Sequence, residues 1–232
     1  MDVSAPAVAV PVLHAVTNDE IVGRSEFMAR ARSVMRAMGS RGALQLRAPR
    51  MARDRSAQFL ELALTLVEEQ ERGGAWLVIN DRVDVALIAC ARGVQLTSAS
   101  IDVPDAQVVL SKVSARCGEI ASCAIGASVH SLEEAISARI AGAAWGVASD
   151  VLSVHDQSDR PAAESGPVLL ERLVRYSGIP IVAIGGIVPQ HVAPLRRAGV
   201  HGIAAIRGIW DVDHSERAVI DYLSAYDSEV GR

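Results

Sequence analysis

Short apolar runs alternate with longer amphipathic stretches along this chain. Eight runs of four to seven residues are almost continuously apolar, which is typical of parallel strands buried on both faces of a sheet. They cover residues 12–16, 43–47, 76–80, 93–96, 123–128, 145–149, 180–186 and 202–208. The pattern therefore predicts eight buried strands separated by helices.

Helix start and stop signals lie between these runs. Residues 54–74 place apolar side chains at spacings of three and four and end at a Gly pair, which favours helix termination. Residues 131–143 begin with Ser131 and carry Glu134 three positions later, which is the spacing of a capping box. Residues 188–199 have a proline early and a glycine late, the usual order at helix ends.

Eight strand–helix units in a chain of 232 residues predict a single (β/α)8 TIM barrel of the α/β class. The alternative is a doubly wound open sheet, which needs a Gly-rich dinucleotide-binding turn after its first strand. The residues that follow position 16 contain no such turn. Because no shift in composition marks a second domain, we expect residues 1–10 to form a flexible N-terminal extension and residues 11–232 the barrel domain.

Composition and charge disfavour some classes of function. Half of the residues are hydrophobic and only 3% are aromatic, so the core must be built from Val, Ile, Leu and Ala. The net charge of −4 gives no general basic field for nucleic acid. Lys112 is the only lysine in the sequence, which disfavours Schiff-base chemistry and leaves arginine as the phosphate-binding side chain.

The sequence also gives expectations about location and partners. Cys90, Cys117 and Cys123 show no CxxC spacing, so idle thiols in a reducing compartment are the simplest interpretation. The first sixteen residues lack a basic segment and a long apolar core, so we expect no signal peptide. No apolar run approaches the roughly 20 residues of a membrane span. We therefore expect a cytoplasmic protein that binds neither nucleic acid nor membrane and is able to form a homo-oligomer.

The ends of the seventh and eighth strands carry a candidate phosphate site. In TIM barrels the active site lies at the carboxyl ends of the strands, and the loops after strands 7 and 8 often bind phosphate. Gly185 and Gly186 end one run, and Ile206, Arg207 and Gly208 end the other. Backbone N–H groups and the Arg207 guanidinium are suitable donors there. Alternatively, the glycines serve only to form tight turns.

Polar residues also end the second and third strands. Gln45 and Arg47 are two positions apart, so both side chains point to the same face of their strand. A buried arginine needs a partner, either an anionic ligand or a carboxylate such as Asp81. Asn80 and Asp81 end the third strand. Asp81 is suited to cap the next helix or to hold a Mg²⁺ ion bound to a diphosphate.

Further candidates follow the fifth and sixth strands. Ser128 and His130 either contact a substrate or belong to the start of the next helix. The longest irregular stretch, residues 149–166, is polar and is typical of a lid at the mouth of a barrel. His155 within it is either an acid or base near neutral pH or an exposed loop histidine without a chemical task.

The motifs "LHAVT", "LQLR", "INDRVDVAL", "SVHSLEEA" and "IPIVAIGGI", in this order, resemble the thiamine phosphate synthase and TenI superfamily over residues 12–210. The resemblance implies a (β/α)8 barrel that binds a phosphorylated thiazole. For a synthase it implies Mg²⁺ and release of pyrophosphate, with Asp81 as one Mg²⁺ ligand. The implied contacts to a pyrimidine diphosphate are Gln45, Arg47, Asn80 and Ser128, and those to the thiazole phosphate are the backbone of Gly186, Ile206 and Arg207.

The sequence departs from the synthase pattern at three places. Pro49 stands where synthases have a lysine, Ser100 replaces the second Mg²⁺ aspartate, with Asp102 as a substitute two residues on, and the loop after strand 6 has no lysine. These changes remove charge that would stabilise a leaving pyrophosphate. The resemblance then favours a TenI-like thiazole tautomerase without a certain cofactor, in which Asp150, at the position of the tautomerase histidine, or His155 moves the proton. A thiamine phosphate synthase and a non-catalytic phosphate-ligand binder or regulator are the alternatives.

Overall fold

The computed structural model describes residues 9–117, 123–149, 151–152 and 166–228. All eight predicted strands are present, and each pairs in parallel with its neighbours to close one barrel in chain order. β1 pairs with β8 and completes the ring. The predicted (β/α)8 barrel is therefore confirmed. The strands are β1 Leu13–Val16, β2 Gly42–Leu46, β3 Trp76–Asn80, β4 Gly93–Leu96, β5 Ala124–Val129, β6 Trp145–Ala148, β7 Ile181–Ile184 and β8 Gly202–Ala205.

Helices surround the barrel and follow the sequence signals. The Ser131 hydroxyl accepts a hydrogen bond from the Glu134 N–H at 3.1 Å, which confirms the predicted cap. None of the helices in the described ranges is both long and apolar enough to cross a membrane. The helices are α1 Asp19–Val22, α2 Phe27–Met38, α3 Pro49–Asp54, α4 Ser56–Gly73, α5 Val83–Ile88, α6 Val103–Cys117, α7 Leu132–Ile140, α8 Gly166–Tyr176, α9 Pro189–Arg197, α10 Arg207–Trp210 and α11 Ser215–Asp227.

A tryptophan fills the interior of the barrel. Trp145 is fully buried, and its indole N–H donates to Gln95 Oε1 at 2.9 Å. A Cβ atom on Gly126 would lie 2.1 Å from the Trp145 ring, so the neighbouring strand needs glycine at this position. The interior below the carboxyl ends of the strands is thus a packed core, and a ligand has access only to the layer above it.

The floor of the barrel, at the amino ends of the strands, contains a buried histidine. His14 Nε2 lies 3.2 Å from the Pro11 carbonyl oxygen, and its ring packs against Trp145 with centroids 5.9 Å apart. Burial lowers the pKa of His14 to about 4, so the ring is neutral at pH 7. Val10 is also buried here, whereas residues 1–8 of the predicted extension lie outside the described residues.

Candidate functional site

The mouth of the barrel, at the carboxyl ends of the strands, brings most of the predicted site residues together. One cavity of about 470 Å³ lies between the loops that follow β2 and β3. Its lining includes Arg47, Asn80 and Asp81, which the sequence placed at two separate strand ends. Parallel strands in a closed barrel end on the same rim, so residues at the ends of β2 and β3, which are far apart in the sequence, become neighbours.

One buried amide, that of Asn80, lines this cavity and is bonded to a second amide on the neighbouring strand. Gln45 on β2 donates from Nε2 to Asn80 Oδ1 on β3 at 2.5 Å. Asn80 in turn donates from Nδ2 to Asp81 Oδ2 at 2.9 Å. Both amide side chains belong to residues that are at most 5% exposed, so each has its orientation fixed by these bonds.

The Asp81 carboxylate connects two loops. Its Oδ1 atom accepts from the Thr97 N–H at 2.9 Å and from the Thr97 hydroxyl at 2.7 Å. The Ser100 hydroxyl donates to the same oxygen. The Asp81 backbone has a φ of 63°, a left-handed conformation that Asp and Asn tolerate better than most residues. Asp81 does not cap α5, whose N-cap residue is Arg82, so the capping interpretation was wrong.

The donors around Asp81 do not fit a Mg²⁺ ion held by the protein. Three donors already converge on Oδ1, and Ser100 contributes a hydroxyl at the position where the synthase pattern has a second aspartate. Asp102, the predicted substitute, lies at the start of α6, where its Oδ1 accepts from the Asp105 N–H at 2.9 Å. Across the described ranges, no three Asp, Glu, His or Cys residues group as metal ligands would.

Arg47 is the cation that faces the cavity without a partner. Its side chain is half-buried, and no hydrogen bond or ion pair links its guanidinium to the described part of the chain. The predicted alternative of an ion pair with Asp81 is therefore not found. The Thr17 hydroxyl at the end of β1 holds the Arg47 backbone, accepting from its N–H at 2.9 Å and donating to its carbonyl at 3.0 Å.

Two other arginines line the same cavity but are already engaged. Arg53 pairs with Asp54 at 2.7 Å and is largely exposed. Arg82 pairs with Asp84 at 2.6 Å and also donates to the Ala52 carbonyl at 2.6 Å. The cavity therefore has a positive rim on which Arg47 is the guanidinium with all its donors available, within the described residues.

The loops after β7 and β8 form the other half of the mouth. Gly185 and Gly186 have φ angles of 131° and 62°, and a Cβ on Gly186 would meet no atom within 4 Å, so this backbone faces open space. Ile206 precedes the short helix α10, whose first N–H groups, including that of Arg207, have no intrahelical acceptor. This arrangement suits the predicted phosphate site, and the role of each residue stays a prediction.

Tyr222 on α11 holds both of these loops. Its hydroxyl donates to the Ile187 carbonyl at 2.7 Å, and burial raises the pKa of this hydroxyl to about 12. A Cβ on Gly208 would lie 2.1 Å from the same hydroxyl, so Gly208 allows the close packing of α10 against α11. This packing gives Gly208 a structural role beside the predicted one.

Tyr222→Phe is expected to weaken binding of inorganic phosphate several-fold and to lower stability by about 1 kcal/mol, because the Ile187 carbonyl loses its donor. Tyr226→Phe is the matched control, since its hydroxyl donates to the His201 carbonyl at 2.8 Å at the floor of the barrel. The control should lose stability without losing phosphate affinity. Calorimetric titration and thermal unfolding measure the two effects, and equal affinities in both variants would contradict the role of Tyr222.

The remaining candidates divide into two groups. Ser128 Oγ accepts at 3.4 Å from Nε2 of Gln95, the same side chain that accepts from the Trp145 indole. His130 is exposed and bonded to Glu134, which accepts from its backbone N–H at 2.7 Å, and both line a groove between α6 and α7. This supports the structural interpretation of His130. Asp150 and His155 lie outside the described residues and stay predictions.

Sequence reasoning missed three residues of the site. Thr17 and Thr97 hold the backbone of Arg47 and the side chain of Asp81, and Tyr222 holds the two loops. Each threonine directly follows a strand, as the recognised candidates do, and this position was the available signal. Tyr222 lies in an ordinary amphipathic helix, which gives no signal in the sequence.

Comparisons with known proteins give a consistent result. The model of the TMP-TENI family, described as thiamine monophosphate synthase, matches residues 13–209. A thiamine-phosphate synthase from Methanoculleus marisnigri is 31% identical over 220 residues, which cover 92% of this chain and 96% of the relative. A bifunctional protein ThiM/ThiE of thiamine biosynthesis from Symbiobacterium thermophilum is 35% identical over 74% of this chain, which spans only 34% of that longer protein.

A solved structure agrees with these relatives. Thiamine phosphate pyrophosphorylase from Pyrococcus furiosus superimposes with a TM-score of 0.75 at 28% sequence identity. The match covers 95% of this chain and 97% of the solved one. The similarity therefore extends through the whole barrel, including the strand ends that carry the candidate site.

Proposed function

Because this chain belongs to the thiamine monophosphate synthase family, we propose that it joins a hydroxymethylpyrimidine diphosphate to a thiazole phosphate and releases pyrophosphate. The family assignment supports an enzyme of thiamine biosynthesis. The observation that carries the synthase proposal is the half-buried Arg47 guanidinium, which has no partner among the described residues and shares its cavity with the fixed amide of Asn80. A cation beside a fixed amide suits an anion attached to a polar ring.

In this proposal each half of the mouth binds one of the two substrates. Gln45 and Asn80 orient the pyrimidine, and Arg47 binds the diphosphate. The backbone at Gly186 and Arg207 binds the thiazole phosphate across the mouth. The carbon–oxygen bond to the diphosphate breaks, the electron pair leaves with the pyrophosphate, and the thiazole nitrogen bonds to the same carbon. Arg47 then stabilises the charge that develops on the leaving group.

The tautomerase interpretation has less support. It requires an acid or base at Asp150 or His155, both of which lie outside the described residues. The relatives reported above are named thiamine-phosphate synthase, thiamine phosphate pyrophosphorylase and bifunctional protein ThiM/ThiE, and none of these three is named a tautomerase. We therefore rank the synthase first, and we keep the cytoplasmic location and a homo-oligomer as predictions.

Purified protein mixed with both synthase substrates and Mg²⁺ is expected to form thiamine phosphate. Pro49 and Ser100 replace charged residues of the synthase pattern, so we expect slow turnover. Oxidation of the product to a fluorescent thiochrome and release of pyrophosphate measure the reaction, with omission of either substrate as the control. Binding of both substrates without product would support the non-catalytic alternative. Isomerisation of a thiazole carboxylate phosphate without product would support the tautomerase.

A further inference from the structure

A line of polar side chains runs from the mouth of the barrel to its floor. It begins at Asp81, continues through the amides of Asn80 and Gln45, and reaches the ring of His14. Each amide has one end that only donates and one end that only accepts. A group at one end of the line that can only accept, or only donate, therefore determines the orientation of every amide along it.

Asp81 fixes the direction at the mouth. An ionised carboxylate only accepts, so Asp81 Oδ2 requires the NH₂ group of Asn80. The Asn80 oxygen must then face Gln45, which donates its own NH₂ group to that oxygen. Gln45 Oε1 consequently faces the ring of His14, and no donor among the described residues reaches it. The second N–H of Asn80, which lines the cavity, is the group that this direction presents to a ligand.

The direction leaves an unsatisfied atom at the floor. His14 Nε2 needs its proton to donate to the Pro11 carbonyl, so Nδ1 of the neutral ring carries only a lone pair. Gln45 lies close to the ring, but Nδ1 forms no hydrogen bond of acceptable geometry within the described structure, although it is fully buried. A Gln45 amide of the opposite orientation would donate to this nitrogen. Buried polar atoms without partners are rare, and this one is explained by the fixed end at Asp81.

We propose that Asp81 is a positioning residue that sets the donor–acceptor direction of Asn80 and Gln45 for the ligand, and is not a ligand of Mg²⁺. The inference rests on the proposed function for the identity of the ligand. The three donors from Thr97 and Ser100 fix the orientation of the carboxylate and occupy the lone pairs of Oδ1, while Oδ2 accepts from Asn80.

Asp81→Asn tests the proposal because it allows the whole line to reverse. The new amide can keep its oxygen toward Thr97 and turn its NH₂ group toward Asn80. Asn80 and Gln45 then both flip, and Gln45 donates to His14 Nδ1. Asparagine also tolerates the φ of 63° at this position. The variant is therefore expected to melt at the same temperature as the natural protein or higher, and to bind hydroxymethylpyrimidine diphosphate at least tenfold more weakly, with or without Mg²⁺.

Asp102→Asn is the matched control, since it removes the same charge near the mouth and asparagine caps α6 as well as aspartate does. It should leave both melting temperature and binding unchanged. The ¹⁵N–¹H side-chain amide signals of Gln45 and Asn80 should move in Asp81→Asn and stay in place in Asp102→Asn. These signals and the melting temperature test the direction of the line even if no thiamine phosphate is formed, so they separate this proposal from the proposed function.

Three results would overturn the proposal. One is Mn²⁺ binding to the natural protein alone that disappears in Asp81→Asn, with ligand binding in EDTA equal for both proteins. The second is a variant that fails to fold or melts well below the natural protein. The third is a set of amide signals that does not change, since the direction of the line would then be independent of Asp81.

Discussion

Arg47→Ala is expected to weaken pyrophosphate binding by about tenfold to a hundredfold and to slow thiamine phosphate formation by about a hundredfold or more. The guanidinium is half-buried, lines the cavity and has no partner among the described residues, so its donors are available to the departing anion. Because a partly buried cation without a partner costs desolvation energy, the melting temperature should stay the same or rise. Calorimetry with pyrophosphate and the product assay measure both effects.

Arg53→Ala provides the control for this loss. Arg53 lines the same cavity and carries the same charge, but its side chain is 74% exposed and paired with Asp54. Its removal should change affinity by no more than about twofold, as is usual for exposed charges. Arg47→Lys keeps the charge but loses the planar guanidinium, so its affinity for pyrophosphate should lie between those of Arg47→Ala and Arg53→Ala. Equal losses in Arg47→Ala and Arg53→Ala would show that the general positive rim binds the anion, without a special role for Arg47.

The barrel was predictable because apolar runs and helical stretches alternate along the chain. Each strand is a short apolar run, and three of the stretches between the runs carry their own helix start or stop signals. A strand buried on both faces admits few polar residues, so the polar residues at its carboxyl end are conspicuous. The same contrast identified Gln45, Arg47 and Asn80, which the closed barrel then brings to one rim.

The role of Asp81 could not be predicted in this way. Its partners Thr97 and Ser100 lie beyond the next strand, and the loop after β4 decides whether their hydroxyl groups reach the carboxylate. The left-handed backbone at Asp81 turns the side chain toward that loop and away from α5. Spacing alone suggested a helix cap or a metal ligand, because both uses of an aspartate leave the same pattern in a sequence.

The same limit applies to residues whose role depends on a distant element. His14 reads as one more residue of an apolar strand, and its unsatisfied nitrogen follows from the orientation of Gln45 on the next strand. Gly208 was assigned to the phosphate site by its place after β8, whereas the contact that requires glycine there comes from Tyr222 on the last helix. Contacts between distant elements determine which residue is needed at such positions, and the hydrophobic periodicity of a single element gives no information about these contacts.

Gly186→Ala is expected to reduce the affinity for thiazole phosphate by a hundredfold or more. A Cβ at this position would meet no protein atom within 4 Å, so it would project into the open mouth where the phosphate is expected to lie. The φ of 62° adds backbone strain of about 1–3 kcal/mol, which lowers stability as well. The loss of affinity must therefore be separated from the loss of stability.

Gly39→Ala makes that separation, because both glycines have a positive φ and open space at the Cβ position but lie at opposite ends of the barrel. Gly39 has a φ of 52°, and a Cβ there would also meet nothing within 4 Å, but it precedes β2 at the floor of the barrel. Both variants should melt several degrees below the natural protein. Only Gly186→Ala should lose affinity for thiazole phosphate in calorimetric titrations made well below the melting temperatures. If both variants bind the ligand as tightly as the natural protein does, the glycines after β7 serve the turn alone, and the thiazole phosphate must bind elsewhere on the rim.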